Sequence, residues 1–70
     1  MDKNIKFCNK LKELRNNAGF SQEELANIVY TTRQTIIAIE KGLFNPSAKL
    51  ALLLCEALNC KFEDMFYIEK

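Results

Sequence analysis

Apolar side chains recur along this chain at intervals of three and four, and glycine, proline or small hydroxylated residues interrupt them at regular distances. Ile5, Cys8, Leu11 and Leu14, with Phe7 and Ala18 beside them, keep a helical period and predict a first helix over 5–17. Gly19, in NNAGF, stops it. In SQEELANIV, Ser21 is placed to accept from the Glu24 amide while the Glu24 side chain reaches back, a capping box that opens a second helix. Leu25, Ala26, Ile28 and Val29 give that helix one apolar face. Val29, Tyr30 and Thr31 then break the period before Thr32, a good N-cap, opens a third helix over 33–41 that Gly42 closes.

A connection of about three residues forces the second and third helices to cross steeply, which is a helix-turn-helix on spacing alone. Pro46 bars continuation of the third helix, and Ser47 is available to cap a fourth, AKLALLLCEAL. Leu50, Ala51, Leu54 and Leu58 form its core stripe; Leu52 and Leu53 cannot both share that face and call for a second packing partner. A short fifth helix is expected over 61–66, with FYI extending from it into a strand. No segment alternates over a long run, so the expected class is all-α.

Seventy residues with 49% hydrophobic and 27% charged positions are expected to make one folded domain spanning 1–70, with a core small enough that self-association would add useful burial. No apolar run approaches the roughly 20 residues of a membrane span, and MDKNIKFC lacks the apolar core of a signal peptide, so a cytoplasmic protein is expected. Histidine is absent, and Cys8, Cys55 and Cys60 show no CxxC spacing. No metal, cofactor or disulfide framework is therefore expected, and the cysteines read as small hydrophobes. The two serines, Ser21 and Ser47, are both spoken for as caps, and no paired carboxylates fall in a predicted pocket, which argues against an enzyme. A small-molecule pocket is not evident in so small a core. The net charge of +1 is spread unevenly: +3 over residues 1–20, −1 over 21–41 and −1 over 42–70. Any phosphate contact would rely on local groups and helix ends more than on a global field.

The third helix carries the chemistry. In TTRQTIIAIEKG its opening turn offers Arg33, Gln34 and Thr35, with Ile37 a turn further on. Arginine and glutamine form bidentate pairs with guanine and adenine edges, and threonine touches a thymine methyl or a phosphate. With LR at 14–15, SQEELA at 21–26, TRQTI at 32–36, IEKG at 39–42, NPS at 45–47 and a leucine-rich helix before EDMF, the chain resembles the Cro/C1-type (XRE) helix-turn-helix family from about Leu11 to Phe66. The resemblance implies a compact five-helix bundle of the lambda-repressor-like kind and, within the family, the small stand-alone regulators that bind operators as homodimers.

Double-stranded DNA is then the implied partner, read in the major groove by Arg33, Gln34, Ile37 and Ala38. The resemblance assigns backbone contacts to Gln22, Thr32, Thr35, Lys41 and Asn45, and a structural ion pair to Arg15 and Glu40. Leu53, Phe62, Met65, Phe66, Tyr67 and Ile68 exceed what a small core needs and are the expected dimer surface. Four positions depart from the family pattern, one of them Leu53, which falls where a charged residue is common. Tyr30 stands where glycine is usual and points to a remodelled turn, Thr31 replaces a small apolar residue and is expected half-buried, and Ile37 replaces a common serine. Repression is the expected sign of regulation; the alternative is an antitoxin-like or anti-repressor-like module that uses the same fold to bind protein.

Overall fold

The structure, a computed structural model, describes residues 4–70; Asp2 and Lys3, counted above in the basic N-terminal stretch, lie outside the described residues. Among those described, the order is β1 (Lys6–Asn9), α1 (Leu11–Ala18), α2 (Gln22–Ile28), α3 (Arg33–Glu40), α4 (Ala48–Ala57), α5 (Phe62–Met65) and β2 (Phe66–Glu69). All five expected helices are present, and the C-terminal strand with them. The correction concerns the first helix, which begins only at Leu11. Its expected opening is β1, paired antiparallel with β2 in the register Lys6↔Glu69, Phe7↔Ile68, Cys8↔Tyr67 and Asn9↔Phe66.

The physical reason is that Ile5, Lys6 and Phe7 alternate as well as they repeat, and the tertiary fold offers them a strand to pair with. Asn9 ends that strand. Its Oδ1 accepts from the Leu11 amide at 3.0 Å and its Nδ2 donates to the Ile39 carbonyl at 3.0 Å. The Lys10 amide donates to the Met65 carbonyl at 2.8 Å, so the sheet is tied to α1, α3 and α5 at one point.

Hydroxyl caps start three helices. Ser21 accepts from the Glu24 amide at 3.0 Å while Glu24 accepts from the Ser21 amide at 2.9 Å; Thr32 and Ser47 accept from Thr35 and Leu50. Four helices end alike, on a residue of positive φ: Gly19 (82°), Tyr30 (61°), Gly42 (75°) and Asn59 (52°). Around each runs the bond pair of a Schellman closure, such as Gly42 N to Ile39 O at 3.0 Å and Leu43 N to Ala38 O at 2.9 Å after α3. Tyr30 therefore keeps the left-handed turn that its bulk argued against: Tyr30 N reaches Asn27 O and Thr31 N reaches Ala26 O at 2.9 Å. An aromatic there costs about 1–2 kcal/mol relative to an unstrained backbone, and with its side chain 88% exposed it recovers little by burial.

The core takes Leu11 from α1, Leu25 from α2 and Val29 from its C-cap, Ile36 and Ile39 from α3, Leu54 from α4 and Met65 from α5. Each such side chain contributes about 1.5–3 kcal/mol by leaving water. Ala18 and Ile28, expected on apolar faces, are instead exposed, and Thr31 is half-buried. Three residues expected at a dimer surface are also placed differently. Met65 and Phe66 are 0% and 3% exposed and belong to the core, and Leu53 leans half-buried against it. The reason is α5, which turns its last residue inward so that β2 can meet β1.

Candidate nucleic-acid interface

Ile36 and Ile39 anchor α3 in the core and thereby fix what it leaves outside. At 100° per residue, Arg33, Ile37, Lys41, Gln34 and Ala38 fall within an arc of about 140° on the opposite side. Arg33, Gln34 and Lys41 are exposed, and Ile37 and Ala38 half-buried. The first turn of α3 contains no acidic residue, whereas that of α2 contains Glu23 and Glu24. A cation at the positive end of a helix dipole is mildly unfavourable for folding, so the stability of α3 does not account for Arg33. The Thr35 and Glu24 amides are taken by the Thr32 and Ser21 hydroxyls; the first amides of α3, with no carboxylate beside them, are left to suit an anion.

The Thr32 and Thr35 hydroxyls lie 3.1 Å apart, and Thr32 also accepts from the Thr35 amide at 3.3 Å. Thr35 is thus turned back into the cap.

Beneath this face lies a buried polar network. Arg15 Nε meets Glu40 Oε2 at 2.6 Å, with only 9% and 4% of the two side chains exposed. Arg15 Nη2 donates to Glu40 Oε1 at 3.2 Å, and Nη1 to the Phe20 carbonyl at 2.9 Å. A third donor joins them: Gln22 Nε2 reaches Glu40 Oε1 at 3.1 Å. Gln22 is therefore held by Glu40, with one amide N–H left over for an outside acceptor. Its neighbour across the groove is Arg33; the two line one surface depression with Arg15, Ser21 and Glu23.

At the far end of α3, Lys41 and Asn45 line a second depression together with Lys6 and Gly42. Lys6, which an N-terminal helix over 5–17 would carry elsewhere, brings a cation to this depression from β1. The expected DNA-contacting residues so divide into an N-terminal group (Gln22, Thr32, Arg33, Gln34 and the inward-turned Thr35), a middle group (Ile37, Ala38) and a C-terminal group (Lys41, Asn45), all carried by α3 and the ends beside it. Among the described residues no cluster of three or more potential ligands could hold a metal ion, and no helix is long and apolar enough to cross a membrane.

The C-terminal end has its own surface. Phe66 stacks between Phe7 (centroids 5.5 Å, 11° between planes) and Phe62 (4.9 Å, 32°). Ile68 lies opposite Phe7 in the sheet, on the same face. Phe7, Phe62 and Ile68 remain 40%, 46% and 53% exposed. Tyr67 points to the other face, under the Lys10 ammonium at 5.8 Å.

A helix-turn-helix family model matches residues 11–65. An HTH-type transcriptional regulator of Bacillus subtilis, YgzD, is 53% identical over 62 residues, which cover 89% of this chain and 94% of that protein. One from Methanocaldococcus jannaschii is 48% identical over 61 residues, covering 87% and 92%. Among solved structures, the restriction-modification controller protein C.AhdI from Aeromonas hydrophila superposes with a TM-score of 0.72 at 35% identity, over 77% of this chain and 78% of that one. The clp gene regulator ClgR from Corynebacterium glutamicum gives 0.73 at 26%, over 77% and 57%. Matching model, relatives and superposed folds agree with the capped α2–α3 pair described above: the chain belongs to the helix-turn-helix family in its Cro/C1 (XRE) form.

Proposed function

We propose that this protein is a repressor that binds a two-fold symmetric operator as a homodimer, inserting α3 of each copy into the major groove. Membership of the family makes it a DNA-binding transcriptional regulator and not an enzyme. The observation that supports the finer reading is the division of α3, whose buried face is locked by Ile36, Ile39 and the Glu40 network while Arg33 and Gln34 stand free at its N-terminal end. Ile37 and Ala38 offer contact to a thymine methyl or a sugar. Gln22, Thr32, Lys41 and Asn45, with Thr35 supporting Thr32 and Lys6 added from the sheet, contact phosphates on either side. Such contacts fix register and carry no direct sequence information.

The second copy is assigned to the exposed face of Phe7, Phe62 and Ile68, which Ile5, also exposed, continues; Tyr67, expected at this surface, lies on the other face of the sheet. Apolar surface of this kind on a small chain is most simply used in a self-complementary C2 contact. The site of action is the cytoplasm, where the DNA is.

The test is to select bound sites from a random DNA pool and then compare cognate with scrambled DNA for Arg33→Ala and Gln34→Ala. Each substitution should remove about 1–3 kcal/mol of discrimination. If both variants keep the parent's ratio, α3 does not read bases. A selected site without two-fold symmetry would remove the dimer from the proposal.

A further inference from the structure

The closure of α4 places two thiols side by side. Cys60 N donates to Cys55 O at 3.0 Å and Asn59 N to Glu56 O at 3.2 Å, with Asn59 left-handed between them. In this closure the side chain three places inside the helix end meets the one that follows the left-handed residue, a contact usually made by two apolar groups. At the other three closures the corresponding pairs are Arg15 with Phe20, Ala26 with Thr31 and Ala38 with Leu43. Here both are cysteine. Cys55 is buried and Cys60 half-buried, both are free thiols, and both line one surface depression with Glu56, Asn59, Lys61 and Asp64.

We propose that Cys55 and Cys60 are a redox-active pair that closes to an intramolecular disulfide under oxidation by a soluble disulfide such as oxidised glutathione. Cys60, the more accessible, loses its proton to water and its sulfur bonds to one glutathione sulfur; the glutathione S–S bond breaks and the second glutathione leaves as thiolate. Cys55 then loses its proton, attacks the Cys60 sulfur and expels the remaining glutathione as thiolate. The two thiolates take up the two protons, so two protein thiols are oxidised by two electrons and one glutathione disulfide is reduced to two thiols.

The surroundings set the character of the pair. Burial pushes the Cys55 thiol up to about 11, helped by Cys60, Asp64 and Glu63, and burial also raises Cys60. Thiolates are therefore scarce at neutral pH and the exchange is slow. The same apolar and acidic surroundings that oppose two thiolates do not oppose an uncharged disulfide, which favours a covalent product over an anionic metal complex. The bond would staple the last turn of α4 to the segment that enters α5 and β2. It closes only a short loop, but even that removes freedom from the unfolded chain. The inference is independent of any DNA contact.

The test uses the full chain with Cys8→Ser, equilibrated in glutathione buffers of graded ratio, alkylated under denaturing conditions, weighed intact and peptide-mapped. The expected result is loss of both thiols together in a monomer, a cross-linked peptide pair joining residues 55 and 60, and a thermal midpoint raised by about 5–15 °C that a dithiol reductant reverses. Cys60→Ser should stay folded and show no such rise. A stable glutathione adduct with Cys55 still alkylated, a cross-link between chains, or an internal cross-link that lowers the midpoint would overturn the proposal.

Discussion

Glu40 holds three donors from two elements, and the cost of removing it follows from that geometry. Glu40→Ala leaves the Arg15 guanidinium, its side chain 9% exposed, with the Phe20 carbonyl as its remaining acceptor and releases Gln22. Stranding one partner of a buried pair costs about 3–5 kcal/mol. A chain of this length has about 3.5–10 kcal/mol in total, at 0.05–0.15 kcal/mol per residue, so the variant should lie near the limit of folding. Arg15→Met combined with Glu40→Leu removes both charges and keeps apolar volume, and such exchanges are often neutral or stabilising. The double variant should therefore be more stable than Glu40→Ala by at least about 2 kcal/mol.

The assay is a double-mutant cycle over Arg15 and Glu40, read as urea midpoints by circular dichroism with unchanged slope as the check on two-state unfolding. A coupling below about 0.5 kcal/mol would mean that the two groups behave as a solvated surface pair. The argument for Glu40 as the anchor of α3 and of Gln22 would then be wrong. A separate consequence concerns DNA. Glu40→Gln keeps an acceptor for Gln22 while removing the charge, so its affinity for all sequences should fall less than that of Glu40→Ala at temperatures where both remain folded.

Tyr30→Gly should stabilise by about 0.5–1 kcal/mol, the relief of left-handed strain less the added freedom of the unfolded chain; a lower thermal midpoint would show that the exposed ring has a contact worth more than its strain. Glu24 has its carboxyl held below the usual range by the Ser21 amide and hydroxyl. Its contribution is present above the unfolded pKa and lost as pH falls through the folded one, so Glu24→Gln should flatten the acid limb of the stability curve and leave it parallel above about pH 6. An unchanged acid limb would dismiss the capping box as its source. Ile68→Asp should give a folded monomer by sedimentation, whereas Met65→Asp should fail to fold because it buries a charge; a folded, dimeric Ile68→Asp would move the proposed contact elsewhere.

What could be read from the sequence was whatever is decided within one turn of chain. Ser21 with Glu24, Thr32 and Ser47 cap helices in the structure because a hydroxyl three residues before an amide needs no help from elsewhere. Gly19 and Gly42 end helices for an equally local reason. β1 escaped notice because its partner lies some sixty residues away in β2, and the spacing of Ile5, Cys8 and Leu11 satisfied a helix first. Tyr30 escaped for the opposite reason: a local steric preference was outweighed by two backbone bonds that close α2.

The candidate site divides along the same line. Residue type and helical phase were enough to set Arg33, Gln34, Ile37 and Ala38 on one face of α3, since a helix anchored by Ile36 and Ile39 has no other face to offer. Gln22 needed the fold. By sequence it is a polar residue at a helix start, and only the approach of Glu40 to within 3.1 Å makes it part of the network that carries Arg15. The same carboxylate therefore orients a residue proposed to touch phosphate and seats the helix proposed to read bases. A change at Glu40 is predicted to disturb affinity and register together, although Glu40 itself faces neither.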